Sequence, residues 1–204
     1  MLRRLPRGEV LDQVLPALSF LALVGPAWWL AGRAGQDPLR VHGLAVRPRG
    51  LLLAAAVALG ALLLFVGVAA LAATLAGRAA GPAPWGIVAL RLLRDLPFVA
   101  LPEEWLFRGV VQPALDRPEG PARRVLGAPF GRGALLSALL FGLAHALIEL
   151  DPTRLLTAVP GLLFAWLRAR TGSMLPGTVA HAASNALLVL VEGTWGQPVP
   201  GSGR

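Results

Sequence analysis

Charge-free apolar blocks separated by short polar stretches set the layout of this chain. No charged residue lies between Asp12 and Arg33, so 13–32 is an apolar run of about 20 residues, the length of one bilayer crossing. It is long for the core of a signal peptide and lacks a clear Ala-x-Ala cleavage pattern, so it reads as a retained first helix. Trp28 and Trp29 sit at its end as interface anchors. After a polar loop over 33–49, the stretch 50–77 is again free of charge and is the cleanest spanning helix, long enough to tilt. Gly81 to Pro84 is a turn.

From Trp85 the pattern changes. Arg91, Arg94 and Asp95 alternate with Ile87, Leu90, Leu92 and Leu93, which predicts an amphipathic helix broken near Pro97. Pro102 then opens a new helix, a favoured first-turn position, which holds Glu103, Glu104 and Arg108 and stops at 113–118. A hydrophilic loop over 116–132 follows. Residues 133–148 are apolar apart from Ser137 and His145, Asp151-Pro152 marks a turn, and 153–170 and 173–192 are two further helices. The tail, 193–204, is rich in Gly and Pro and reads as loose. The expectation is an all-α, polytopic membrane helix bundle of about six to seven helices. It divides into N-terminal transmembrane helices (1–84), a core (85–192) and the tail, with no internal repeats.

Composition supports a membrane setting. The chain is 55% hydrophobic and only 15% charged, with a mean hydropathy of +0.64, outside the range of an ordinary soluble surface. The net charge is +8, carried by Arg alone, since Lys is absent. The arginines fall between apolar blocks and form no basic stripe, so membrane lipids and not nucleic acid are the expected contact. Three Arg precede the first helix and four follow it, so the positive-inside count does not set the orientation. The absence of Cys excludes disulfides, thiol catalysis and a Cys-based zinc site.

Polar groups inside apolar helices persist when they pair, face a cavity or work. Three clusters stand out. Glu104 and Arg108 are four residues apart on one helical face and can pair, while Glu103 points about 100° away. His145 lies alone on an apolar helix, and Glu149, one turn on, is placed either to orient it or to sit in headgroup water. His181 and Asn185 again share a face. Each cluster alone is explained as well by structural hydrogen bonding. Together they bring the residue types of a hydrolytic site: a carboxylate and an imidazole to deprotonate water, and an imidazole and an amide to donate to an oxyanion. Two His and a Glu are also a zinc ligand set, but the HExxH spacing is missing, and Asn is a poor zinc ligand.

These motifs resemble those of one family. Glu103-Glu-Trp-Leu-Phe-Arg-Gly109 is similar to the EExxFRG motif of the CPBP peptidases (CAAX protease and bacteriocin-processing, or ABI, family). Ser137 to His145 resembles its FxxxH motif, and Arg170 to Asn185 its HxxxN motif with the preceding turn. The resemblance covers about 85–192. It implies an intramembrane endopeptidase in which Glu103 and His145 activate water, His181 and Asn185 form the oxyanion hole, and Glu104 with Arg108 supports the helix end. It also implies a helical bundle with a catalytic cavity open to the membrane, and a membrane-associated peptide or protein as substrate. Members have been read as glutamate peptidases and as metalloproteases; the glutamate type, without a cofactor, suits these residues better, and zinc is the alternative. A non-catalytic immunity or scaffolding protein is the other reading. The all-Arg, Ala/Gly/Pro-rich composition suggests a bacterial chain, multi-pass in the cell membrane.

Overall fold

The computed structural model describes residues 24–45, 51–116 and 123–196, with Leu18, Leu21 and Ala22. Helix α1 runs over 24–33; the expected start of this helix and the end of the tail, 197–204, lie outside the described residues. A single turn, Pro38–Val41, is capped by the Asp37 carboxylate, which accepts from the backbone N–H of Leu39 at 3.0 Å. Helix α2, Leu51–Leu75, has a mean hydropathy of 2.8 over its most apolar window, of which 6% is buried. A core helix of a soluble protein would hide such a surface, whereas the rest of the described chain leaves that of α2 uncovered. It is the one described helix long and apolar enough to cross a membrane.

Helix α3 occupies 85–115 without interruption. Here the structure corrects the reading of a break at Pro97 and a fresh start at Pro102. The helix widens into π turns at Leu96–Ala100 and Trp105–Val111, separated by one α turn, Leu101–Glu104. Proline lacks an N–H and crowds the carbonyl four residues back. A π turn absorbs this by bonding one residue further, as Leu101 N–H does to the Leu96 carbonyl. Within the second π turn, three carbonyls accept from side chains of other elements. Ser137 Oγ donates to Phe107 O at 2.8 Å, Arg168 Nε to Arg108 O at 3.2 Å, and His42 Nδ1 to Gly109 O at 3.2 Å. Apolar surroundings require this satisfaction.

The loop over 116–132 contains a hairpin, so the fold is not wholly α. Strands β1, Arg123–Val125, and β2, Ala128–Phe130, pair antiparallel with Arg124 opposite Pro129. Leu126 and Gly127 both have positive φ (46° and 77°), the geometry of a two-residue turn that matches strand twist. Trp166 Nε1 donates to Val125 O at 2.8 Å and fastens the hairpin to the core.

Helix α4 is Arg132–Ile148. The expected single helix over 153–170 is a 3₁₀ segment, Pro152–Thr157, followed by α5, Ala158–Thr171. Asp151 caps the 3₁₀ segment, and its bonds from the Thr153 hydroxyl and N–H hold its carboxyl below the ordinary range. Helix α6, Leu175–Trp195, runs three residues past Glu192, the expected end of the last helix. Helices α4, α5 and α6 pack in succession, and α6 also rests on α2 and on the start of α3. Gly142 permits the approach of α4 to the following segment: a Cβ there would meet the Leu155 carbonyl at 2.7 Å and Ala158 Cβ at 2.9 Å. One core gathers Phe164, Trp166, Leu167 and Ala180 with Ala54 and Ala128. A second joins Val24, Trp105 and Met174, with the His42 and Trp28 rings against Trp105 at 4.8 and 5.7 Å.

Candidate active site

The three polar clusters come from α3, α4 and α6, and the packing brings most of them together. Glu103 Oε2 lies 3.7 Å from His145 Nε2 and 3.8 Å from His181 Nε2. Both gaps exceed a direct hydrogen bond, and Oε2 is buried without a hydrogen-bond partner among the described residues. Such a gap between a carboxylate and an imidazole is short enough for one water to touch both. The Glu103 and His145 side chains are 25% and 24% exposed, so this pair opens outward.

The tautomer of each histidine follows from its acceptor. His145 Nδ1 donates to the Phe141 carbonyl at 2.9 Å; a carbonyl only accepts, so a neutral His145 carries its lone pair on Nε2, toward Glu103. This replaces the option that Glu149 orients His145: Glu149 pairs with Arg154 at 2.8 Å instead. His181 Nδ1 donates to Glu104 Oε1 at 3.2 Å. Phe164 stacks on the His181 ring (centroids 5.0 Å apart, 13° between planes), and Phe141 meets it edge-on at 5.5 Å. The ring is held by one hydrogen bond and two aromatic faces.

Glu104 and Arg108 are fully buried beneath this layer. Arg108 Nε is 3.3 Å from Glu104 Oε2, an ion pair by distance that is not aligned as a hydrogen bond. Arg108 Nη2 donates to Gly161 O at 2.8 Å, and the guanidinium lies 4.7 Å from the Phe141 ring centroid. Gly177 leaves room for the Glu104 carboxylate, since a Cβ there would stand 3.1 Å from Oε2.

Asn185 sits one turn beyond His181 on α6, and its Nδ2 donates to Asp95 Oδ2 at 3.0 Å. Asp95 is the residue that pattern reading missed: with Arg91 and Arg94 it looked like the polar face of an amphipathic helix. In the fold it is 1% exposed. The available signal was the i,i+4 spacing of Arg91 and Asp95, now a 2.7 Å contact. Phe164 and the Gly161 carbonyl also escaped notice, because neither belongs to a polar cluster. Among the described residues no group of three or more His, Cys, Asp or Glu side chains forms a metal-holding set.

A family model described as type II CAAX prenyl endopeptidase, Rce1-like, matches residues 84–187, just over half of the chain. The chain belongs to this Rce1-like family. The match agrees with the resemblance read from the three motifs and takes in every residue of the cluster from Glu103 to Asn185. The family is membrane-embedded and its general activity is CAAX endopeptidase cleavage. No curated protein and no solved structure matches the Rce1-like chain.

Proposed function

We propose that this Rce1-like chain is a multi-pass intramembrane endopeptidase of the glutamate type, working in a bacterial cell membrane on a membrane-associated protein or peptide. The observation that supports this most is the placement of the unpartnered Glu103 Oε2 between two imidazole nitrogens from different helices, at 3.7 and 3.8 Å. Glu103 and His145 hold a water and take its proton as its oxygen attacks the scissile carbonyl carbon. The carbonyl oxygen becomes an oxyanion and accepts hydrogen bonds from His181 Nε2 and the Asn185 amide. Collapse of the tetrahedral intermediate breaks the C–N bond, and the leaving amine takes up the proton held by Glu103 and His145.

His181 already gives its Nδ1 proton to Glu104, so donation from Nε2 requires a doubly protonated ring. Glu104 and Arg108 act as support, by fixing His181 and the π turn. A cofactor is not required by this scheme; zinc is the alternative, although Glu103, His145 and His181 as placed form no metal-holding set.

The test is cleavage of an internally quenched farnesylated CAAX peptide by purified protein in proteoliposomes. Glu103→Gln and His145→Ala should each abolish cleavage with an unchanged unfolding transition. Full cleavage by both variants would overturn the reading and favour a non-catalytic binding or immunity role. Activity should survive a strong chelator. Stoichiometric zinc, lost with activity on chelation and restored with it, would establish the metal version.

A further inference from the structure

Asp95 is an expensive residue in its setting. A carboxylate with 1% exposure inside a membrane-embedded fold is retained when it is paired or has a task. Arg91, on the same helix, is 43% exposed and could meet this carboxylate at the surface. The side chain instead turns inward to α6. Its Oδ2 accepts from Arg91 Nε at 2.7 Å and from Asn185 Nδ2 at 3.0 Å, while Oδ1 is buried without a hydrogen-bond partner among the described residues. The contacts between α3 and α6 run in opposite order along the two helices: Asp95 meets Asn185, and Glu104 meets His181 one turn earlier on α6. Both donors proposed for the oxyanion hole are therefore held from behind by a buried carboxylate of α3.

We infer that Asp95 is a positioning residue that sets which way the Asn185 amide faces, an inference that rests on the oxyanion role proposed above for Asn185. An amide has two faces of opposite use: NH₂ stabilises an oxyanion and C=O repels it. Its terminal torsion is soft and nearly two-fold, so packing alone discriminates poorly between them. A carboxylate accepts only. It forces the NH₂ group toward itself and turns the amide oxygen away, leaving the second N–H free to donate. Arg91 holds the carboxylate in place and offsets its charge.

Asn185 is the only asparagine in the chain, so protein labelled with ¹⁵N-asparagine gives one side-chain amide signal, readable without any cleavage. Its two protons should be well separated in the wild type and should move together in Asp95→Ala. Identical amide signals in both proteins would overturn the inference, whatever the activity. The same farnesylated peptide supplies the kinetic arm. Asn185→Ala should lower kcat about 100- to 1,000-fold, as loss of one oxyanion donor does. Asp95→Ala should lower kcat about 10- to 100-fold with KM unchanged, the range for outer partners that orient a working group. Asp95→Asn, which keeps an acceptor oxygen, should retain more of kcat than Asp95→Ala. The double variant should be no slower than Asn185→Ala alone. Losses that multiply would sink the positioning role of Asp95 and leave that of Asn185 standing. Unchanged kcat in Asn185→Ala would remove both.

Discussion

Glu104→Ala should damage the fold before it damages the chemistry. The substitution removes both acceptors that Glu104 offers: Oε2 beside Arg108 at 3.3 Å and Oε1 receiving His181 Nδ1 at 3.2 Å. Arg108 stays fully buried, with the Gly161 carbonyl as a hydrogen-bond acceptor and with Nε and Nη1 lacking one among the described residues. Stranding a buried charge in this way costs about 3–5 kcal/mol. The aromatic rings around the guanidinium do not repay this, since whatever they contribute is already present in the wild type. Against a total stability of about 5–15 kcal/mol the loss is large. The assay is reversible unfolding in mixed micelles, followed by tryptophan fluorescence, with Trp105 buried next to the substituted position as a reporter. Glu104→Met combined with Arg108→Met should recover most of the loss, because no charge is then stranded. A Glu104→Ala protein within about 1 kcal/mol of wild type would refute the reasoning. If that variant were also inactive while Glu103→Gln stayed active, Glu104 and not Glu103 would be the water-activating carboxylate.

Other substitutions separate structural from chemical roles. Gly142→Ala should cost about 1–3 kcal/mol in the same unfolding assay, because its methyl would press on the Leu155 carbonyl and Ala158. Glu149→Ala breaks only a partly exposed pair with Arg154, so stability should change by less than about 1 kcal/mol and kcat not at all. A large fall in kcat for Glu149→Ala would return the orienting of His145 to Glu149. Trp166→Phe removes the bond to the Val125 carbonyl, and hydrogen exchange in the β1–β2 hairpin should quicken while the α4 amides stay protected.

The sequence by itself carried the helices, the apolar length of α2, the i,i+4 spacing that lets Arg108 meet Glu104, and the motifs that name the family. These are local properties: periodicity, unbroken apolar length and spacing along one helix depend on neighbours in the chain. It misjudged Pro97 and Pro102, because whether a proline ends a helix depends on what takes up the freed carbonyls. Here the chain widens into the π turn Leu96–Ala100, and Leu101 N–H bonds to the Leu96 carbonyl five residues back, so the helix continues. The hairpin was likewise hidden, since Leu at a positive-φ turn position is not a turn signal. The family resemblance paired Glu103 with His145, but only the packing of α6 on α3 set His181 between Glu103 and Glu104. Glu103 faces His145 and His181, and Glu104 is buried beneath them. Asp95 shows the same limit most plainly. Its sequence context is a polar helix face, and only the packing of α3 on α6 turns it inward to the one asparagine in the chain.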